Sequence, residues 1–203
     1  MKNFWKFVKT SGIYFVGTVL QKLITFFLLP IYTAYISPKD MGTYDAAIAY
    51  ITFLCSVLFL DIWSGIMRFT FEYEGDERKK PINSGLAIFG CSAVLYTIIM
   101  AAAGCIFHIK YLPFMYFYGL LMNMQNLMGY LARTYQKNTL YTASGLISSF
   151  TTVIFNILFI VLLKMDYSAL FISGCMGYLL NICILGYGIR FPRLISYKDF
   201  QPL

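Results

Sequence analysis

Charged and amide side chains interrupt long apolar stretches of this sequence, and they are the residues best suited to chemistry. Lys22 lies in the middle of the apolar run from residue 10 to residue 36. A charge at the centre of a membrane helix costs roughly 2.5–3.5 kcal/mol on insertion scales, so it is retained where it faces a protein partner or a water-filled cavity. Asp45 and Asp61 lie towards opposite ends of their own apolar run, and neither matches Lys22 in depth. A mobile anion is therefore the partner that we expect for Lys22.

Lys22 shares one face of its predicted helix with three hydroxyl side chains. At the helical period of 3.6 residues, these four positions fall within about 60° of one another. The three hydroxyl residues are Ser11, Thr18 and Thr25. Because polar side chains in membrane helices face the interior of the bundle, we expect this stripe to do the same.

Asparagines recur on single faces of three further apolar runs. Two interpretations stay open for them. Amides hydrogen-bond between membrane helices for roughly 1 kcal/mol, which makes them structural. Alternatively, polar faces from several helices line one aqueous cavity and bind substrate. The four asparagines are Asn123, Asn126, Asn156 and Asn181.

Three further charged residues are weaker candidates for a functional role. Arg68 is predicted at the cytoplasmic interface, where an arginine either reaches lipid phosphates or binds a substrate head group at the mouth of a cavity. Asp45 and Asp61 are candidates for ion coupling or for a structural role.

Composition narrows the class of protein. The 203 residues are 59% hydrophobic and 12% charged, with a mean hydropathy of +0.68, whereas soluble proteins average about 25% charged residues. The formal charge of +7 does not indicate a nucleic-acid partner, because the basic residues are scattered between apolar runs. The single histidine and the absence of nucleotide-binding or zinc-protease motifs argue against an enzyme, a cofactor and a metal site.

Six apolar runs, each near the ~20 residues that cross a bilayer, must position these side chains. We therefore predict an all-α integral membrane protein with a six-helix transmembrane bundle. The first run is too long for the hydrophobic region of a cleaved signal peptide, so we expect it to stay in the protein. The runs are predicted at about residues 10–36, 42–66, 84–108, 112–132, 140–163 and 168–189.

The distribution of Lys and Arg outside these runs predicts the orientation. One side holds twelve and the other side holds three, namely Lys39, Lys110 and Lys164. By the positive-inside rule, both termini are cytoplasmic. The twelve are Lys2, Lys6, Lys9, Arg68, Arg78, Lys79, Lys80, Arg133, Lys137, Arg190, Arg193 and Lys198.

Three stretches resemble bacterial polysaccharide-repeat-unit flippases of the Wzx type, a branch of the MATE-like exporter superfamily. The first holds Gly17-Thr18, Lys22, Leu28 to Thr33, Ile36-Ser37-Pro38 and Met41 to Asp45. The second holds Leu60-Asp61 and Arg68-Phe69, with a charged loop after it. The third holds Leu131-Ala132-Arg133, Leu140-Tyr141 and Ser144-Gly145.

The resemblance implies a transporter in the bacterial cytoplasmic membrane that flips undecaprenyl-pyrophosphate-linked oligosaccharides by alternating access. It implies two six-helix lobes around a central cavity, in which Lys22, and more weakly Arg68, suits the pyrophosphate. Members usually have 12 to 14 spans, so we expect this chain to be the N-terminal lobe, with residues 191–203 as a connector. The expected partners are the lipid-linked oligosaccharide, membrane lipids and a second lobe or a second copy. An exporter of small amphipathic molecules and a non-transporting scaffold are the alternatives.

Overall fold

The structure, a computed structural model, describes residues 2–191. The side chains of residues 2–11, 13, 14, 16, 21, 24, 25 and 76 are outside this description, as are Met1 and residues 192–203. The predicted roles of Ser11 and Thr25, and almost all of the predicted connector, therefore fall outside the described residues.

Each of the six predicted runs coincides with helical structure, because long apolar sequences bury their backbone hydrogen bonds most simply in helices. No strand occurs within residues 2–191. The segments are α1 (Lys2–Tyr35), α2 (Pro38–Phe59), α3 (Ile62–Thr70), a 3₁₀ turn (Gly75–Arg78), α4 (Lys79–Phe107), α5 (Leu112–Thr134), α6 (Asn138–Asn156) with a π-helical continuation (Ile157–Leu162), and α7 (Ser168–Ile189).

Four of these segments are long and apolar enough to cross a membrane, among the residues that the structure describes. They are α2, α4, α6 with its π-helical continuation, and α7. Within α1, the described apolar stretch is Phe26–Tyr35. The helix α5 does not qualify, because Asn123, Gln125 and Asn126 lower its hydropathy. The described part of the chain is thus all-helical and compatible with a membrane protein, and the count of six spans stays a prediction.

The second predicted run is not one continuous helix, which corrects our boundary of 42–66. Its helix α2 ends at Phe59, and Leu60 and Asp61 adopt left-handed backbone conformations, with φ of 48° and 51°. The Leu60 N–H closes α2 by donating to the Ser56 carbonyl at 3.2 Å. The chain then starts the short helix α3, which buries Trp63 and Ile66.

Close contacts at small residues set the arrangement of the helices. The helix α7 packs against α5 and α6, and α1 packs against α6. Gly174 and Gly177 of α7 lie directly against Tyr118 of α5 and Thr152 of α6. The Ser148 hydroxyl of α6 also donates to the Gly177 carbonyl at 2.7 Å. Small residues let membrane helices approach closely in this way.

Two loops at one end of the bundle are tied by a charged cluster. Asp166, in the loop before α7, accepts hydrogen bonds from the Tyr111 hydroxyl at 2.6 Å and from the Lys110 ammonium at 3.2 Å. The Ser168 backbone N–H donates to its other oxygen at 3.1 Å. Burial alone would raise the pKa of Asp166, but these hydrogen bonds outweigh it and lower the pKa to about 2. The cluster fastens the loop between α4 and α5 to the loop between α6 and α7.

Candidate functional site

A polar pocket of about 470 Å³ lies between α1, α2, α5, α6 and α7. It differs from the surrounding apolar surface because tyrosines, amides and hydroxyls form most of its wall. Pockets with convergent polar groups in an otherwise apolar bundle are the usual location of ligand sites between helices. The polar and charged residues of the lining include Tyr32, Tyr44, Asp45, Tyr118, Gln125, Ser149, Asn156 and Tyr178.

Asn156 holds one corner of this pocket by linking three helices. Its amide Nδ2 donates to the Tyr32 hydroxyl of α1 at 2.8 Å. Its Oδ1 accepts a hydrogen bond from the Ser173 hydroxyl of α7. Asn156 is 2% exposed. Because a buried amide is costly without hydrogen-bond partners, both of these bonds stabilise its position. The π-helical continuation begins at the next residue, and such segments are frequent at functional sites.

Tyrosines form the aromatic wall of the pocket. The Tyr178 hydroxyl of α7 donates to the Tyr118 hydroxyl of α5 at 3.1 Å, and their ring centroids are 5.1 Å apart. Tyr44 of α2 packs on Phe171 with a centroid separation of 4.9 Å. Such a wall offers apolar ring faces and hydroxyl groups together, which suits a ligand that has both kinds of surface.

Asp45 supplies the charge at this site. Among the described residues that line the pocket, it alone has an ionisable carboxylate or a basic group. It is exposed and lies seven residues into α2, or about 10 Å from the start of that helix at 1.5 Å per residue. With one acidic and no basic side chain among its described lining residues, the pocket favours a neutral polar or a cationic ligand over an anionic one.

The structure separates the four predicted asparagines. Asn156 lines the pocket, whereas the other three lie outside it. Asn123 is buried and donates to the Gly119 carbonyl at 2.8 Å. Asn181 is buried and donates to the Ser144 hydroxyl at 3.3 Å, while its Oδ1 has no partner among the described residues. Asn126 is half-buried.

Lys22 lies on a different side of α1 from the pocket. Gly17 and Leu28 of α1 are buried, whereas Thr18 and Lys22 are exposed. At the helical period, Lys22 is roughly 120° around the helix from Leu28. The two described members of the stripe are therefore exposed in this bundle, and their predicted orientation towards a cavity shared with a second lobe stays untested. The predicted role of Lys22 in binding stays a prediction.

Asp61 follows the C-terminal end of α2 and Arg68 lies in α3, and neither residue lines the pocket. Both are exposed. The Arg68 guanidinium is 6.0 Å from the centroid of the Phe69 ring, which fits an interfacial arginine. Asp61 precedes α3 but makes no capping hydrogen bond with its side chain.

Gln125 and the four tyrosines of the pocket were not predicted as site residues from the sequence. One signal was available, because Tyr118 and Gln125 are seven residues apart and so share a face of α5. Tyrosine is also common at membrane interfaces, so its frequency in this chain did not single out these positions. No cluster of three His, Cys, Asp or Glu side chains able to hold a metal occurs in the described part of the chain.

The sequence and structure were compared with known proteins. No family model matches the chain. No curated protein and no solved structure matches it either.

Proposed function

We propose that this chain is one six-helix lobe of a transporter that flips undecaprenyl-pyrophosphate-linked oligosaccharides across the bacterial cytoplasmic membrane. The observation that carries the proposal is the tyrosine- and amide-lined pocket between α1, α2, α5, α6 and α7. In this proposal both termini are cytoplasmic, all six runs span the bilayer, and the pocket binds the sugar part of the substrate.

The positions of the flippase-like stretches support this assignment. The first stretch contributes Leu28, Tyr32, Tyr44 and Asp45 to the pocket. The third stretch, far away in sequence, contributes Gly145. Some residues of the first and third stretches therefore come together at the pocket, whereas none of the second stretch lines it.

The chemistry of the pocket also fits a saccharide. A sugar hydroxyl both donates and accepts hydrogen bonds, and Gln125, Ser149 and the tyrosine hydroxyls offer both kinds of group. The C–H faces of a sugar ring are apolar and pack on the faces of aromatic rings such as Tyr118. In this proposal, the pocket recognises the neutral sugar through hydrogen bonds and ring contacts, and the Asp45 charge is not required.

Lys22 fits the same proposal through a second lobe. An exposed lysine near the middle of α1 would cost roughly 2.5–3.5 kcal/mol if it faced lipid. If a second lobe or a second copy packs beside α1, Lys22 lies in the cavity between the lobes and meets the pyrophosphate of the substrate. Alternating access requires two such units that rock about a central site.

A flipping assay with adjacent variants tests the proposal. We expect Gln125→Leu to reduce flipping at least ten-fold in membrane vesicles from cells that express the full chain, because it removes an amide from the pocket wall. Asn126→Leu is the matched control, since Asn126 is the next residue of α5 and lies outside the pocket. Equal flipping by the two variants, at equal protein levels, would refute the assignment.

The carboxylate of Asp45 favours a second candidate, an exporter of small amphipathic cations. A cation would use the Asp45 charge together with the electron-rich tyrosine faces. Asp45→Asn separates the two functions in vesicles. A sugar site keeps most of its activity with the amide, whereas a cation site loses transport because the charge is gone.

A further inference from the structure

A second recess, lined by α2, α4 and α5, is an apolar groove of about 870 Å³. It does not share a lining residue with the polar pocket. Its floor consists of the buried side chains of Ile51, Met100 and Met115. Along α2 the groove runs from Lys39 to Leu54, which is about 22 Å at 1.5 Å per residue.

Small residues make this groove deep. Gly42 faces it, and a Cβ built on Gly42 would meet nothing within 4 Å. Ala46 and Ala47 of α2 and Ala103 of α4 line it as well. One leaflet contributes about 15 Å of the ~30 Å hydrocarbon core, so the groove is long enough for an acyl chain of that leaflet.

A cation marks one end of the groove. Of the described residues that line it, Lys39 alone is charged, and it is exposed at the start of α2. Lys39 forms no ion pair with a described side chain. The neighbouring carboxylate of Asp40 accepts a hydrogen bond from the Ser37 hydroxyl at 2.7 Å.

We propose that this groove binds an anionic phospholipid, with an acyl chain along α2 and the phosphate at Lys39. The mostly apolar lining favours a hydrocarbon chain, and the cation lies where α2 begins, at the end of this span that we predict to be at the membrane surface. A basic residue near a membrane surface contributes about five-fold to the binding of an anionic lipid. The proposal is independent of the transported substrate and of the pocket at Asn156.

Competition between two lipids tests the charge. The full chain is purified in neutral detergent with equal amounts of dioleoyl phosphatidylglycerol and dioleoyl phosphatidylcholine, and the retained lipids are quantified by mass spectrometry. We expect the wild type to retain phosphatidylglycerol preferentially. Lys39→Ala reduces this preference about five-fold, and Lys39→Arg preserves it. Lys164→Ala, at an exposed lysine of the same end that does not line the groove, leaves it unchanged.

A matched glycine pair tests the groove itself. Gly42→Leu fills the groove and is expected to reduce the retention of both lipids. Gly90→Leu places the same side chain on α4 outside the groove, where the added Cβ also meets nothing within 4 Å, and it leaves retention unchanged. Equal retention of the two lipids by the wild type, or equal effects within either matched pair, would overturn the proposal.

Discussion

Buried amides have distinct roles in this chain, although the sequence makes them look alike. Asn156 bridges α1 and α7 through Tyr32 and Ser173. Asn123, in contrast, donates to a carbonyl of its own helix. A sequence shows which face of a helix an asparagine lies on, but the neighbour that it reaches depends on how the helices are rotated against each other.

The bridging role of Asn156 predicts a loss of stability on truncation. Asn156→Ala leaves Tyr32 and Ser173 without this partner and should lower the free energy of unfolding by about 1–2 kcal/mol. Denaturation of the purified chain in mixed micelles measures it. Asn126→Ala is the control, because Asn126 makes no side-chain hydrogen bond within the described residues and is half-buried. If both variants lose the same stability, Asn156 is not a bridge.

Asp166 predicts a dependence of stability on acid. Its pKa is lowered from 3.8 to about 2 in the folded chain; burial opposes this shift, and hydrogen bonds from Tyr111, Ser168 and Lys110 outweigh it. A lowered pKa stabilises the fold above the pKa of the unfolded state, and that contribution is lost as the pH falls from about 4 towards 2. Between pH 5 and pH 2, the unfolding temperature of the wild type should therefore fall more steeply than that of Asp166→Asn. Parallel curves of unfolding temperature against pH would contradict a stabilising role of the Asp166 cluster.

Two elements depart from the regular helices that the sequence predicts. The run at 42–66 breaks at Leu60 and Asp61, and the run at 140–163 becomes π-helical from Ile157. Neither break carries a proline, and no glycine marks the two left-handed positions. Hydrophobic periodicity shows where a helix lies, but it does not reveal such breaks when the residues around them are equally apolar.

The break after α2 predicts an unusual benefit from glycine. A left-handed conformation costs a residue with a side chain roughly 1–2 kcal/mol, and glycine avoids most of this cost. Leu60 is 77% exposed and loses little packing, so Leu60→Gly should raise the free energy of unfolding by about 0.5–1 kcal/mol. Val57→Gly, inside α2 and 52% exposed, should lower it by about 0.5–1 kcal/mol. If both variants lower the free energy of unfolding, the left-handed conformation at Leu60 is not strained.

At the scale of the whole molecule, the sequence predicts where the helices lie. It singles out only some of the residues that line the pocket. Apolar runs bounded by charges and turns place helices well, because length and hydropathy suffice. The pocket depends on close approach at Gly174 and Gly177, which sets the rotation of α7 against α5 and α6. The pocket brings Asp45 and Asn156, which the sequence singled out, together with Gln125 and Tyr118, which it did not.

The exposure of Lys22 likewise depends on how the helices pack. A helical stripe predicts a common direction, and both of its described members, Thr18 and Lys22, are exposed in the described bundle, where α1 packs mainly against α6 and its π-helical continuation. Under the proposed function, a second lobe covers it. The pocket and Lys22 then bind different parts of one substrate, the sugar and the pyrophosphate.

Access of water and substrate to the pocket tests the proposed function most directly. In a chain without its five native cysteines, Ser149→Cys introduces a thiol into the pocket wall, and Ser144→Cys introduces one at a fully buried position outside it. In membrane vesicles, we expect a water-soluble maleimide to label Cys at position 149 but not at position 144. Added lipid-linked oligosaccharide should slow the labelling at 149. Complete protection of both thiols, or labelling at 149 that the substrate does not change, would contradict a substrate site and favour a scaffold.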